Sequence, residues 1–497
     1  MSEPIAVKIM STGTPGLDNV LGGGLPPGRL YLIQGDPGTG KTTLALQFLF
    51  QGLKENQKVL FIALSETRDE LMAVAKSHGW SMEGIEIYEL STAQQNRVPQ
   101  QNTLFHPSEV ELAELTQSIL KEIERVRPDR IVIDSLSEMR LLAQNALRFR
   151  RQILALKQFF NDRPTTVLLL DDRMGVNSEA QAHTVVHGVI ELEQMAPEYG
   201  ASRRRLSVIK LRGVKYRGGY HDYTIVTGGI VVFPRLIAAE HHPGFKADRV
   251  PSGVDGLDRL LGGGVDRGTS VLLMGPAGSG KSTVAMQYAL AAAQRGEATA
   301  MFAFDESVET MLRRGDSIGL DVRGAIQKNL IFARQVDPAE LSPGEFIQHV
   351  RDSVTRNHAK IVVIDSLNGY LNAMPEERFL TLHMHELLTY LGQHGVMTIL
   401  IMAQHGLMGR MESPLDISYL SDTVLLLRYF EAIGAIRQAI SVIKKRTGAH
   451  ERTLREFQIG AGGVHVGEPL NEFQGILTGV PQYRGDHGPL LKRNDGV

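Results

Sequence analysis

Short apolar runs alternate with longer, helically periodic segments along this chain. Leu30-Tyr31-Leu32-Ile33, Lys58 to Ala63, Ile131-Val132-Ile133 and Thr166 to Leu170 are nearly continuous apolar stretches. Strands covered on both faces need such runs. Val271 to Met274, Val362-Val363-Ile364 and Thr398 to Met402 repeat the pattern further on. Between them, Glu109 to Arg125 and Phe379 to Gln393 carry helical spacing. The alternation predicts an α/β fold of mainly parallel sheets flanked by helices. Ligands of such sheets bind beyond the carboxyl ends of the strands. The residues after each run are therefore the first candidates for chemistry.

The pattern occurs twice. Ser11-Thr12-Gly13-Thr14-Pro15-Gly16-Leu17-Asp18 has a counterpart in Pro251-Ser252-Gly253-Val254-Asp255-Gly256-Leu257-Asp258. Leu21-Gly22-Gly23-Gly24 likewise matches Leu261-Gly262-Gly263-Gly264. These pairs lie 240 residues apart, whereas Ile131 to Leu136 and Val362 to Leu367 lie 231 apart. The difference in length falls between Glu66 and Asp134, and the polar stretch Thr92 to Ser108 reads as the loop that holds it. Paired histidines, Pro243 and Gly244 read as a join. The expected organisation is two tandem domains, 1–240 and 250–480, with a linker at 241–249 and a short tail at 481–497. A chain of 497 residues also exceeds one ordinary core.

Composition narrows the function classes. Hydrophobic residues make up 42% and charged residues 22%, as in globular proteins. Lys plus Arg number 53 against 55 Asp plus Glu, so overall charge gives no pull toward nucleic acid. The absence of cysteine excludes disulfides and thiolate metal sites. No apolar run reaches the roughly 18 residues that a membrane span needs, and the first residues lack a signal-peptide pattern. A cytoplasmic location is the expectation. Arg203-Arg204-Arg205 and Arg148, Arg150 and Arg151 read as solvated faces, and His405 as an interface or sensor residue rather than a metal ligand.

Two segments fit G-x-x-x-x-G-K-[ST]: Gly35-Asp36-Pro37-Gly38-Thr39-Gly40-Lys41-Thr42, followed by Thr43, and Gly275-Pro276-Ala277-Gly278-Ser279-Gly280-Lys281-Ser282, followed by Thr283. Each follows an apolar run and opens a helical pattern. Glycines let backbone N–H groups turn toward phosphate oxygens, and the next helix presents its positive end. Lys41 and Lys281 neutralise phosphate charge, and Thr42 and Ser282 are placed to ligate Mg²⁺. Nucleoside triphosphate binding follows from two such loops.

Asp134 and Asp365 end their strands about 90 residues after the loops and read as the second anchors for Mg²⁺; the competing reading is a helix cap. Glu66 in copy one and Asp305-Glu306 in copy two follow the second apolar run of each. They are candidates to activate water or a hydroxyl. Lys210 and Arg212 alternate along Ser207 to Arg212, so both face one side of a strand, and Lys444 and Arg446 repeat this.

Over roughly residues 8 to 480 these motifs resemble the KaiC family, double-domain ATPases of the RecA superfamily known from the cyanobacterial clock. The resemblance implies two tandem RecA-like domains and homohexameric double rings with ATP between subunits. It further implies a slow ATPase in the first ring and an autokinase in the second, with Lys210, Arg212, Lys444 and Arg446 reaching the neighbour's nucleotide. Glu66 matches one member of the first ring's glutamate pair, with Ser65 where the other would stand. Asp305 takes the place of the second ring's first glutamate. Ser418 matches the phosphoserine position and Tyr419 the neighbouring phosphothreonine; Ser413 and Ser421 are the alternative acceptors. A KaiB-like protein is the implied partner, while the segment after Pro481 is short for the family's activator-binding tail. The competing functions are a RecA-type DNA-handling motor and an ATPase switch without kinase activity.

Overall fold

Each copy of the pattern builds one nine-stranded sheet. The computed structural model describes residues 9–89, 107–173, 182–197, 199–240, 243–372, 377–404, 419–432, 434–477 and 481–483. The candidate acceptors Ser413 and Ser418, and His405, lie outside them. The chain divides into two units, Met1–Arg235 and Leu236–Val497. Leu236 and Ala238 pack into the core of the second unit.

In the first unit the strands are β1 (Leu30–Gly35), β2 (Val59–Ala63), β3 (Glu86–Glu89), β4 (Arg130–Asp134), β5 (Thr166–Asp172), β6 (Gly188–Met195), β7 (Arg203–Leu211), β8 (Tyr220–Val226) and β9 (Gly229–Phe233). Their order is β3-β2-β4-β5-β1-β6-β7-β8-β9. From β3 to β6 all neighbours are parallel; β7 to β9 extend the sheet in antiparallel fashion. Alternate residues of β1 enter opposite cores. Tyr31 and Ile33 pack with Leu44 and Phe48 of the helix Lys41–Lys54. Leu30 and Leu32 pack with Ile119 and Ile153 of the helices Pro107–Val126 and Ala146–Phe160. Helices thus cover both faces of the parallel part, which is why its strands are apolar throughout.

The second unit repeats this after a small antiparallel pair, β10 (Arg249–Val250) and β11 (Val265–Asp266). Its strands are β12 (Ser270–Gly275), β13 (Thr299–Ala303), β14 (Ile331–Gln335), β15 (Ile361–Asp365), β16 (Met397–Ala403), β17 (Thr423–Ala432), β18 (Ala435–Lys445), β19 (Arg455–Gly460) and β20 (Gly463–Pro469). Their order, β14-β13-β15-β16-β12-β17-β18-β19-β20, reproduces that of the first sheet. Both sheets therefore have the expected α/β form.

The repeated opening motif is a clasp. Asp18 accepts hydrogen bonds from Ser11 Oγ at 2.6 Å and from Thr12 N and Oγ1 at 2.8 and 2.7 Å. Asp258 accepts from Ser252 N and Oγ, both at 2.8 Å. Gly16 has φ +82°, and a Cβ there would lie 1.9 Å from the Val232 carbonyl oxygen, so the turn excludes any side chain.

Candidate functional site

Both phosphate loops emerge from the carboxyl end of a central strand and run into a helix, Lys41–Lys54 or Lys281–Gln294. Gly40 and Gly280 cap these helices with φ of 92° and 96°. A Cβ at Gly40 would press within 2.8 Å of Ile225 Cδ1, and one at Gly35 within 2.5 Å of the Leu192 carbonyl oxygen. The first loop thus closes onto β6 and β8, and Thr39 and Ser279 are fully buried. Tyr223 Oη donates to the Thr39 carbonyl at 2.6 Å and secures the first loop.

Lys41 Nζ donates to the carbonyls of Gly35 and Asp36 at 2.8 and 3.1 Å. Lys281 Nζ does the same to Gly275 and Pro276 at 2.9 and 2.7 Å. Each lysine thus curls back over its own loop. Thr42 Oγ1 donates to Asp134 Oδ2 at 3.0 Å. Burial pushes the Asp134 carboxyl up to about 6 despite the Thr42 hydrogen bond and the Lys41 charge. Burial also raises Asp365, opposed by its hydrogen bond from Ser282. A hydroxyl and a carboxylate oxygen in contact, in a pocket that disfavours the bare anion, make a hard-oxygen pair suited to Mg²⁺. The peptides Asp134–Ser135 and Asp365–Ser366 are both cis.

The two copies diverge around their acidic groups. Thr42 Oγ1 donates to Asp134 and also lies close enough to Glu66 to lower its carboxyl, while Glu66 Oε2 is buried with no hydrogen-bond partner among the described residues. Burial, then the charges of Asp134 and Glu70, push Glu66 up to about 7. In copy two both carboxylates are engaged. Ser366 Oγ donates to Asp305. Arg314 Nη1 and Nη2 hold the two oxygens of Glu306 at 2.8 and 2.6 Å.

A further acidic residue has no counterpart in the sequence reading. Asp172, the last residue of β5, pairs with Lys41 Nζ at 3.0 Å. Ser137 Oγ donates to it at 3.1 Å. The strand register places Asp172 opposite Gly35 and Ala403 opposite Gly275, so the second copy has an alanine there. Among the described residues no carboxylate pairs with Lys281, and burial lowers that ammonium to about 8. The consecutive acids in Leu170-Asp171-Asp172-Arg173 were the only available signal.

The basic pairs are not brought to the loops of their own unit. Lys210 pairs across to Val189 and Leu211 to Gly188, which lies beside Tyr31 near the amino end of β1. The phosphate loop leaves the other end of β1, roughly 15 Å away at the usual strand rise. Lys210 Nζ donates to the Val186 carbonyl at 2.7 Å. In copy two, Lys444 Nζ donates to the Ser421 carbonyl at 2.8 Å and Arg446 Nη2 to the Tyr419 carbonyl at 2.6 Å. Ser421 itself is fully buried, whereas Tyr419 is exposed. No described helix is long and apolar enough to cross a membrane.

The profile of the KaiC ATPase family matches residues 10–237 and 250–471, one copy each. The circadian clock protein KaiC3 of a Synechocystis species is 27% identical over 496 residues, covering 97% of this chain and 96% of that protein. The circadian clock oscillator protein KaiC of Synechococcus elongatus is also 27% identical, over 97% of this chain and 93% of its own length.

Proposed function

This chain belongs to the KaiC ATPase family, and from that premise we propose that it is an ATP-hydrolysing homohexamer whose second site phosphorylates the chain itself. Its nucleotide and phosphorylation states then serve as a signal, read by a partner of the KaiB kind. The observation that carries the reading is the separation of Lys210 and Arg212 from Lys41. Cations at the far end of their own sheet serve a phosphate only where a neighbouring copy brings its loop to them, and a ring supplies that neighbour. Thr42 with Asp134, and Ser282 with Asp365, would hold Mg²⁺, which shields the charge of the phosphates when bound. Glu66 takes the proton of the attacking water in the first site. In the second, Asp305 or Glu306 accepts the hydroxyl proton of a serine, with Ser418 the principal acceptor.

A ligand that touches two subunits stabilises their assembly. Native mass measurement should therefore give a hexamer with Mg·ATP and smaller species without nucleotide. A monomer throughout the micromolar range with Mg·ATP present would overturn the ring. Lys281→Ala should retain the ring and lose incorporated phosphate, and Ser418→Ala should lose most of it. The engagement of Asp305 by Ser366 favours one second reading, an ATPase switch without kinase activity. Wild-type protein free of phosphate after incubation with Mg·ATP would select it.

A further inference from the structure

The helices Arg68–Ser77 and Val308–Ser317 are equivalent, each following its acidic residues by one short turn. Each is capped by a hydroxyl, Thr67 or Ser307. At the seventh position of the first stands Val74, which packs against the apolar core. At the seventh position of the second stands Arg314, which binds Glu306 through both terminal nitrogens. Strand ends, phosphate loop, hydroxyl and strand-terminal aspartate recur in both units, while Ser65 stands where the second unit has Asp305, and Asp172 where it has Ala403. Of the two glutamates, Glu66 keeps a buried oxygen without a partner among the described residues, whereas Arg314 donates to both oxygens of Glu306.

In hydrolysis the water oxygen bonds to the γ-phosphorus. The bond to the bridging oxygen breaks and its electron pair leaves with ADP, while a water proton passes to the glutamate carboxylate. That carboxylate needs a lone pair aimed at the water. A fork-to-fork pair with a guanidinium takes the more basic syn lone pair of each oxygen, leaves only the anti ones, and fixes the group's direction. We propose that Arg314 is a latch on Glu306, which holds it away from water and makes the second site retain ATP rather than hydrolyse it. Arg314 is a positioning residue, acting only through Glu306. The inference rests on the ATPase reading above and adds what sets the rate at the second site.

The test uses full-length protein carrying Glu66→Gln, so that phosphate release reports the second site. Glu66→Gln with Arg314→Val should release phosphate about tenfold faster than Glu66→Gln alone, with ATP affinity within about twofold. Adding Glu306→Gln should abolish the gain, and Arg314→Lys, which keeps the charge but loses the fork, should fall between. Conversely, Val74→Arg in the wild-type background should slow overall turnover. Turnover in the Arg314→Val protein equal to or below that of Glu66→Gln alone, with ATP still bound, would overturn the latch. Should Arg314→Val not fold, Arg314→Gln is read by the same criterion. Wild-type protein that binds Mg·ATP and releases no phosphate would overturn the ATPase reading itself, and the latch with it.

Discussion

At Glu66 burial becomes a dependence on pH. A free glutamate ionises near 4.5, and this one near 7. Between those values the folded chain keeps a proton that the unfolded chain has released, so stability falls as pH rises through the window. Asp134, moved from 3.8 to about 6, adds a slope of the same sign at lower pH. His187, pushed down from 6.5 to about 4 by burial, contributes a slope of the opposite sign, so Glu66 is read as a difference: between about pH 5 and about pH 7.5 the melting temperature of nucleotide-free wild type should fall relative to that of Glu66→Gln. Parallel slopes for the two proteins would show that Glu66 ionises elsewhere. Asp172 acts on the same site in another way. Its pair with Lys41 must open when phosphates arrive, so Asp172→Asn should tighten ATP binding at the first site by about threefold to tenfold. Calorimetry in a Lys281→Ala background, where only that site binds, measures this; weakened binding would mean that Asp172 helps to hold the ligand. The strand–loop–helix setting of the two loops and the strand-end position of the aspartates were legible because local spacing carries them. Asp172 and Arg314 were not, because each gains its meaning from a partner that only the sheet register or the helix turn brings near.

Among the elements, buried strands gave the clearest signal. The run Lys58 to Ala63 forms β2 from Val59 to Ala63, and Thr398 to Met402 lies inside β16. Helix ends are set by local competition for backbone groups, and the helix expected at Glu109 begins at Pro107. The antiparallel strands were harder to read, since their polar residues resemble surface. Arg205 belongs to β7 and pairs with Glu193 of β6 at 2.6 Å, which ties the arginine triplet into the sheet. Arg130 shows the same limit. After Asp129 it looks like the polar edge of a turn, yet it opens β4 and is fully buried. Its guanidinium bonds Gln57 at 2.6 Å, Glu55 at 2.7 Å and the carbonyls of Ser11 and Phe48 at 2.8 and 2.9 Å. One side chain thereby joins the opening clasp, the end of the phosphate-loop helix and the strand that ends in Asp134. Arg130→Ala leaves four acceptors without that donor and should cost about 3–5 kcal/mol in urea denaturation. A loss below about 1 kcal/mol would show that water satisfies them as well.

At the scale of the whole molecule the repeat was legible because both copies keep their motifs in register. The proposed division puts Glu66 and the phosphate loop on one subunit and Lys210 with Arg212 on the next. Glu66→Gln should disable the loop side of an interface, and Arg212→Ala the finger side. Mixed and reassembled with Mg·ATP, the two variants form some interfaces in which an Arg212→Ala subunit supplies an intact Glu66 and a Glu66→Gln subunit an intact Arg212. Random placement in a ring from equal amounts makes about one quarter of the interfaces whole. First-site phosphate release should therefore rise in the mixture to about a quarter of the wild-type rate, above either parent. If each subunit completed its own site, no mixed ring would contain a whole one, and the mixture would give the mean of its parents.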